Sequence, residues 1–157
     1  MEMIRPVALQ RGGLAGWGVT VLLVSTVAGG GVASTRLAAL GARVVVQSDL
    51  VAAVDLVLQG AGAVNMLVID CDHAGGLAAG LQGFDRMAAG GLRLPVMLIS
   101  AACTEQTFPV GREAPFHLRA PPSVVALRIG FELAFSSTQD PMGTEKGRSR
   151  EGAPFRI

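Results

Sequence analysis

Residues 64–76 read VNMLVIDCDHAGG, an apolar run that ends abruptly at Asp70, with Cys71, a second carboxylate at Asp72 and His73 directly behind it. Apart from Asn65, Val64–Ile69 is continuously hydrophobic rather than alternating, the pattern of a strand covered on both faces. A carboxylate at the tip of such a strand has three readings: a phosphate acceptor, a metal ligand, or a turn residue serving its own backbone. The choice depends on what the rest of the chain brings to that tip.

Four further β-branched runs flank this one: Val19–Val24 (VTVLLV), Arg43–Val46 (RVVV), Leu94–Ile99 (LPVMLI) and Phe116–Leu118 (FHL). Crossover helices fit between them. Ser34–Leu40 ends at Gly41, a suitable left-handed cap. Ser48 and Asp49 can cap a helix that offers Leu50, Val54, Leu56 and Leu58 for burial and ends near Gly60. Phe84–Ala89 reads as a third helix closed by Gly90-Gly91. The stretch after Ser100, with Pro109, Gly111 and Pro115, predicts a short or irregular helix. Ser123–Ser137 is the clearest helix. Alternating units of this kind predict an α/β fold with a doubly wound parallel sheet, whose chemistry gathers at the carboxyl ends of the strands. Ser25, Thr26, Asp70, Ser100 and Ala120 then share one rim.

The 157 residues suit one domain: an N-terminal extension over 1–18, a core domain over 19–137, and a polar tail over 138–157 (from Thr138, TQDPMGTEKGRSREGAPFRI) that is expected to be disordered. Half of the residues are hydrophobic and 16% charged, so core material is ample. Lys and Arg number 13 against 12 acids, which leaves no broad basic footprint for nucleic acid. Cys71 and Cys103 are too few for a disulfide framework and predict a reduced, cytoplasmic setting. Arg5 and Arg11 precede GLAGWGVTVLLVSTVAGGGVAS, which imitates a signal peptide ending at Val32-Ala33-Ser34. A first strand and glycine-rich turn is the preferred reading, because the sheet needs that strand. No segment gives the ~20 uninterrupted apolar residues of a membrane span.

From about Val19 to Ser137 the chain resembles the receiver domain of bacterial response regulators, a flavodoxin-like (βα)5 fold with strand order 2-1-3-4-5. The matching words are RLAALGARV before strand two, LVIDCDHAGG at strand three, LPVMLISA at strand four and HLRAPP at strand five. The resemblance implies a phosphoacceptor at Asp70, a switch hydroxyl at Ser100, 30 residues on, and a switch aromatic position at His117. It also exposes departures. The family's pair of metal-binding acids at the end of strand one is replaced by Val24, Ser25 and Thr26. The Lys before the strand-five proline is Ala120, and Arg119 should point to the other face. Ala74-Gly75-Gly76 stands where the family favours a proline.

Phosphoryl transfer to a carboxylate depends on cations that neutralise the phosphoryl oxygens. With two Mg²⁺ ligands and an ammonium missing, the expectation is a degenerate receiver with a vestigial Asp70 and no cofactor. Asp70 with Asp72 would make only a weak Mg²⁺ site. Two other constellations compete. Cys71, His73, Cys103 and His117 are zinc-ligand types in no compact zinc spacing. Gly29 and Gly31 begin a run resembling a dinucleotide loop, with Asp49 twenty residues beyond Gly29 as a ribose partner.

The last helix carries more apolar surface than one contact needs. Val125, Ile129 and Leu133 form one row, and Leu127, Phe131, Ala134 and Phe135 another. The second row is expected to supply an interaction face through Leu127, Phe131 and Phe135. By resemblance, that face would form a homodimer or engage a histidine kinase, a phosphotransfer protein or another regulator. The resulting expectation is a non-enzymatic signalling protein, with a phosphorylatable regulator and a small nucleotide-binding protein as alternatives.

Overall fold

The computed structural model describes residues 14–60 and 63–136. Five parallel strands form one sheet in the order β2-β1-β3-β4-β5: β1 (Thr20–Val24), β2 (Arg43–Gln47), β3 (Met66–Asp70), β4 (Val96–Ser100) and β5 (Phe116–Arg119). The α-helices are α1 (Gly31–Ala39), α2 (Leu50–Leu58), α3 (Leu77–Ala89) and α4 (Val124–Ser136). Single 3-10 turns occupy Ala28–Gly30 and Cys71–His73. Strand order, parallel sense and flavodoxin-like layering agree with the sequence reading. The segment that imitates a signal peptide is strand, turn and helix.

Strand geometry divides the apolar side chains between two cores. Val21 and Leu23 point to the face covered by α1 and α4, joining Leu37, Met97, Phe116, Leu127 and Phe131. Leu22 and Val24 point to the face covered by α2 and α3, joining Val54, Val57, Leu67, Ile69, Phe84 and Met87. This two-sided covering is why the central runs are continuous rather than alternating. The predicted caps also form. Asp49 accepts from the Ala52 amide at 3.0 Å, and Gly41 has φ +91°. Ser123, not predicted as a cap, also acts as one: its Oγ accepts from the Ala126 amide at 3.0 Å.

Four expectations need correction. A (βα)5 chain would carry five helices, yet among the described residues the β4–β5 connection has none. Pro109, Gly111 and Pro115 break it, and it forms a strap along the outer edge of β5. There Thr107 and His117 exchange backbone bonds of 2.9 and 3.0 Å, and the Arg119 guanidinium donates to the Thr104 carbonyl. The strap occupies backbone groups that a bare edge strand would expose.

The third helix begins at Leu77, well before Phe84. Gly80 hides that start in the sequence because glycine weakens helices. Its role is close approach: a Cβ there would lie 2.7 Å from Cys71 Sγ and 3.2 Å from Leu98 Cδ2.

The proposed interaction face is the wrong row of α4. Leu127 and Phe131 are fully buried, and Phe135 is half-buried against Phe131, so none offers a free surface. The exposed row is Val125, Ile129 and Leu133.

The N-terminal boundary also shifts. Residues 14–18 belong to the domain: the Gly16 amide donates to Leu40, and Gly16 packs so closely that a Cβ would meet Phe131 at 2.7 Å. The rest of the extension and the tail over 138–157 lie outside the described residues.

Candidate functional site

The parallel sheet delivers Ser25, Asp70, Ser100 and Ala120 to one rim, because all five strands end there. Val24 sits opposite Ile69 in the β1–β3 register, so Ser25 follows beside Asp70. Ser25 is buried, and its hydroxyl donates to Asp70 Oδ2 at 2.9 Å. The Val27 amide donates to the same hydroxyl oxygen at 3.1 Å. His73, one 3-10 turn beyond Asp70, brings Nδ1 to 3.1 Å from that same Oδ2. Its carbonyl accepts from the Thr26 amide at 3.0 Å, which ties the turn to the end of β1.

Asp72 reaches the next strand instead. Its Oδ1 accepts from the buried Ser100 hydroxyl at 2.6 Å, and its Oδ2 from the Ala101 amide at 2.8 Å. The two carboxylates of DCD therefore diverge: Asp70 serves β1 and Asp72 serves β4. The Ala101 amide, then the Ser100 hydroxyl, hold the Asp72 carboxyl below its usual range. A carboxyl with its folded-state pKa depressed stabilises the fold above its unfolded pKa and loses that contribution as pH falls through the folded value. Acid titration of stability should thus be shallower in Asp72→Asn than in wild type below about pH 4, measured as denaturant midpoint against pH. Identical slopes would show that the latch carries no charge-dependent stability.

The metal test comes from the donor set. Mg²⁺ requires several oxygens in an octahedral array. Asp70 has a hydroxyl donor where the family has acids, and Asp72 is committed to Ser100 and Ala101. Among the described residues no group of three or more His, Cys, Asp or Glu is placed to hold a metal. These residues do not fit Mg²⁺. The zinc constellation fares no better. Cys71 and Cys103 are buried free thiols. Burial, with Cys103 nearby, pushes Cys71 up to about 12, away from the thiolate that zinc requires.

His117 lies within β5, opposite Leu98, half-buried, with its backbone held by Thr107. Gly29, Gly30 and Gly31 all have positive φ, so their glycine identity is explained by backbone conformation. Gly31 and Asp49 line different concavities, and Asp49 caps α2. Arg119 points into the strap, as alternation requires.

Above Asp70 lies a pocket of about 430 Å³ between the start of α1 and the β5–α4 loop. Val27, Val32, Ala33, Ile99, Pro121 and Pro122 supply its aliphatic walls, while Asp70 and His73 supply its ionisable groups. The Ala120–Pro121 peptide at its rim is cis. Sequence reasoning missed this pocket and the Asp72–Ser100 bond. The Pro121-Pro122 pair and the second Asp were the available signals.

No protein-family model and no curated protein matches the chain. Among the solved structures similar in fold are two receiver domains. The receiver domain of Francisella response regulator 1452 shares 17% identity at TM-score 0.57, over 76% of this chain and 98% of that one. The receiver domain of the hybrid histidine kinase CckA shares 23% identity at TM-score 0.51, over 74% of this chain and 99% of that one. Among the described residues no helix is long and apolar enough to cross a membrane. With its 2-1-3-4-5 parallel sheet and these neighbours, the chain has the fold of a response-regulator receiver domain.

Proposed function

We propose that this protein is a receiver-like signalling protein that works by protein contact rather than catalysis, with Mg²⁺-dependent phosphorylation of Asp70 weakened or lost. The Asp72 latch carries the reading. By the resemblance, Ser100 is the switch hydroxyl, and here Asp72 already holds it together with the neighbouring amide. A carboxylate fixed at that spot repels an incoming phosphoryl group. The pocket lining contains no Lys or Arg to offset that charge.

The contact surface in this reading is the exposed α4 row of Val125, Ile129 and Leu133, with a second copy of the chain or a signalling protein as partner. A nucleotide is a poor candidate ligand, because Asp49, its expected ribose partner, caps α2 and lines a different concavity from Gly29 and Gly31.

Incubation with Mg²⁺ and acetyl phosphate, or with beryllofluoride, should leave the intact mass and the Asp70 resonances unchanged. Asp72→Ala alone should not restore labelling, since the missing acids and ammonium stay missing. A stoichiometric adduct on wild-type Asp70 would establish a phosphorylatable regulator and end this proposal.

A further inference from the structure

The pocket above Asp70 combines features that the signalling reading does not use. It opens at the carboxyl ends of the strands, beside the β1–β3 pair where the strand order reverses, the place where open α/β sheets bind ligands. At about 430 Å³ it falls within the range of small-molecule sites, ~300–1,000 Å³. Its walls are aliphatic, and its lining holds one carboxylate, Asp70, with His73 beside it and no Lys or Arg. The Asp70 side chain is only 13% exposed. Both of its bonds, from Ser25 and His73, converge on Oδ2, leaving Oδ1 without a donor among the described residues. A largely buried carboxylate oxygen gains most from a charge-assisted donor.

We propose that this pocket binds a small organic cation, an amine on a compact apolar body, with the ammonium on Asp70 Oδ1 and the body against Val27, Val32, Ala33, Ile99 and the Pro121-Pro122 pair. Anions are disfavoured because they would meet Asp70 with no Lys or Arg in the lining. Neutral analogues lose the charged contact and keep the apolar one. The binding stands apart from the protein-contact reading, so either can fail alone.

Benzylamine, benzyl alcohol and benzoate are matched probes for the full-length protein, followed by amide chemical shifts. Benzylamine should saturably shift Gly30, Gly31, Val32, Asp70 and His73, and bind about tenfold tighter than benzyl alcohol. Benzoate should leave those residues unmoved. Asp70→Asn should remove the preference for amine over alcohol. Val32→Trp, at a half-exposed rim position, should weaken both probes. Comparing the three probes on wild type decides the matter even if Asp70→Asn fails to fold. Benzoate binding as well as benzylamine, shifts confined to other surfaces, or no saturable response would overturn the site.

Discussion

Phe131→Ala should destabilise the protein by about 3–5 kcal/mol in chemical denaturation, whereas Val125→Ala six residues earlier should cost less than about 0.5 kcal/mol. The two residues share α4 but not its environment. Phe131 is 0% exposed, inside the core that α1 and α4 make with the sheet, and Val125 is 60% exposed. Removing the ring takes away buried apolar area and leaves a cavity that close neighbours such as Gly16 cannot fill. Charge placed on each row sharpens the contrast. Val125→Glu should leave folding intact, while Phe131→Glu should abolish folding. Equal stability losses for Phe131→Ala and Val125→Ala would mean that α4 is rotated about its axis from the position described.

Cys71 should be close to inert toward iodoacetamide in the native protein and ordinary once unfolded. Desolvation by burial is the main cause of its rise to about 12, and Cys103, Asp72 and Asp70 add to it. At about pH 8 this shift cuts the thiolate population roughly a thousandfold relative to an ordinary thiol. Steric closure acts in the same direction: Sγ faces Gly80 on α3 and donates to the Ile69 carbonyl at 3.6 Å. Alkylation followed by peptide mass mapping, native against urea-unfolded, measures the ratio. A native rate within about tenfold of the unfolded one would show that the α3–β3 contact opens readily and that the thiol lies in a wet environment.

The strands were legible because burial on both faces leaves an unmistakable mark, and VTVLLV, VNMLVI and LPVMLI each carry it. The Asp49 cap was legible for a local reason: it acts on an amide three residues away.

Other features depended on partners distant in sequence. The helix start before Phe84 was hidden by Gly80, whose place is explained only by Cys71 after β3 and Leu98 on β4 lying against it. Both rows of α4 were equally apolar as letters, and only the docking of the helix on β4 and β5 decided that Phe131 goes inward and Ile129 outward. Asp72 bonds a hydroxyl 28 residues away on another strand, which no periodicity encodes. The sequence by itself determined the parallel sheet and the rim on which Asp70 stands, because those follow from hydrophobic runs and chain alternation. Tertiary structure alone decided that Asp72 latches Ser100 and that an aliphatic pocket covers Asp70. Both arise where separate strand ends and loops converge, and that convergence is set by three-dimensional packing.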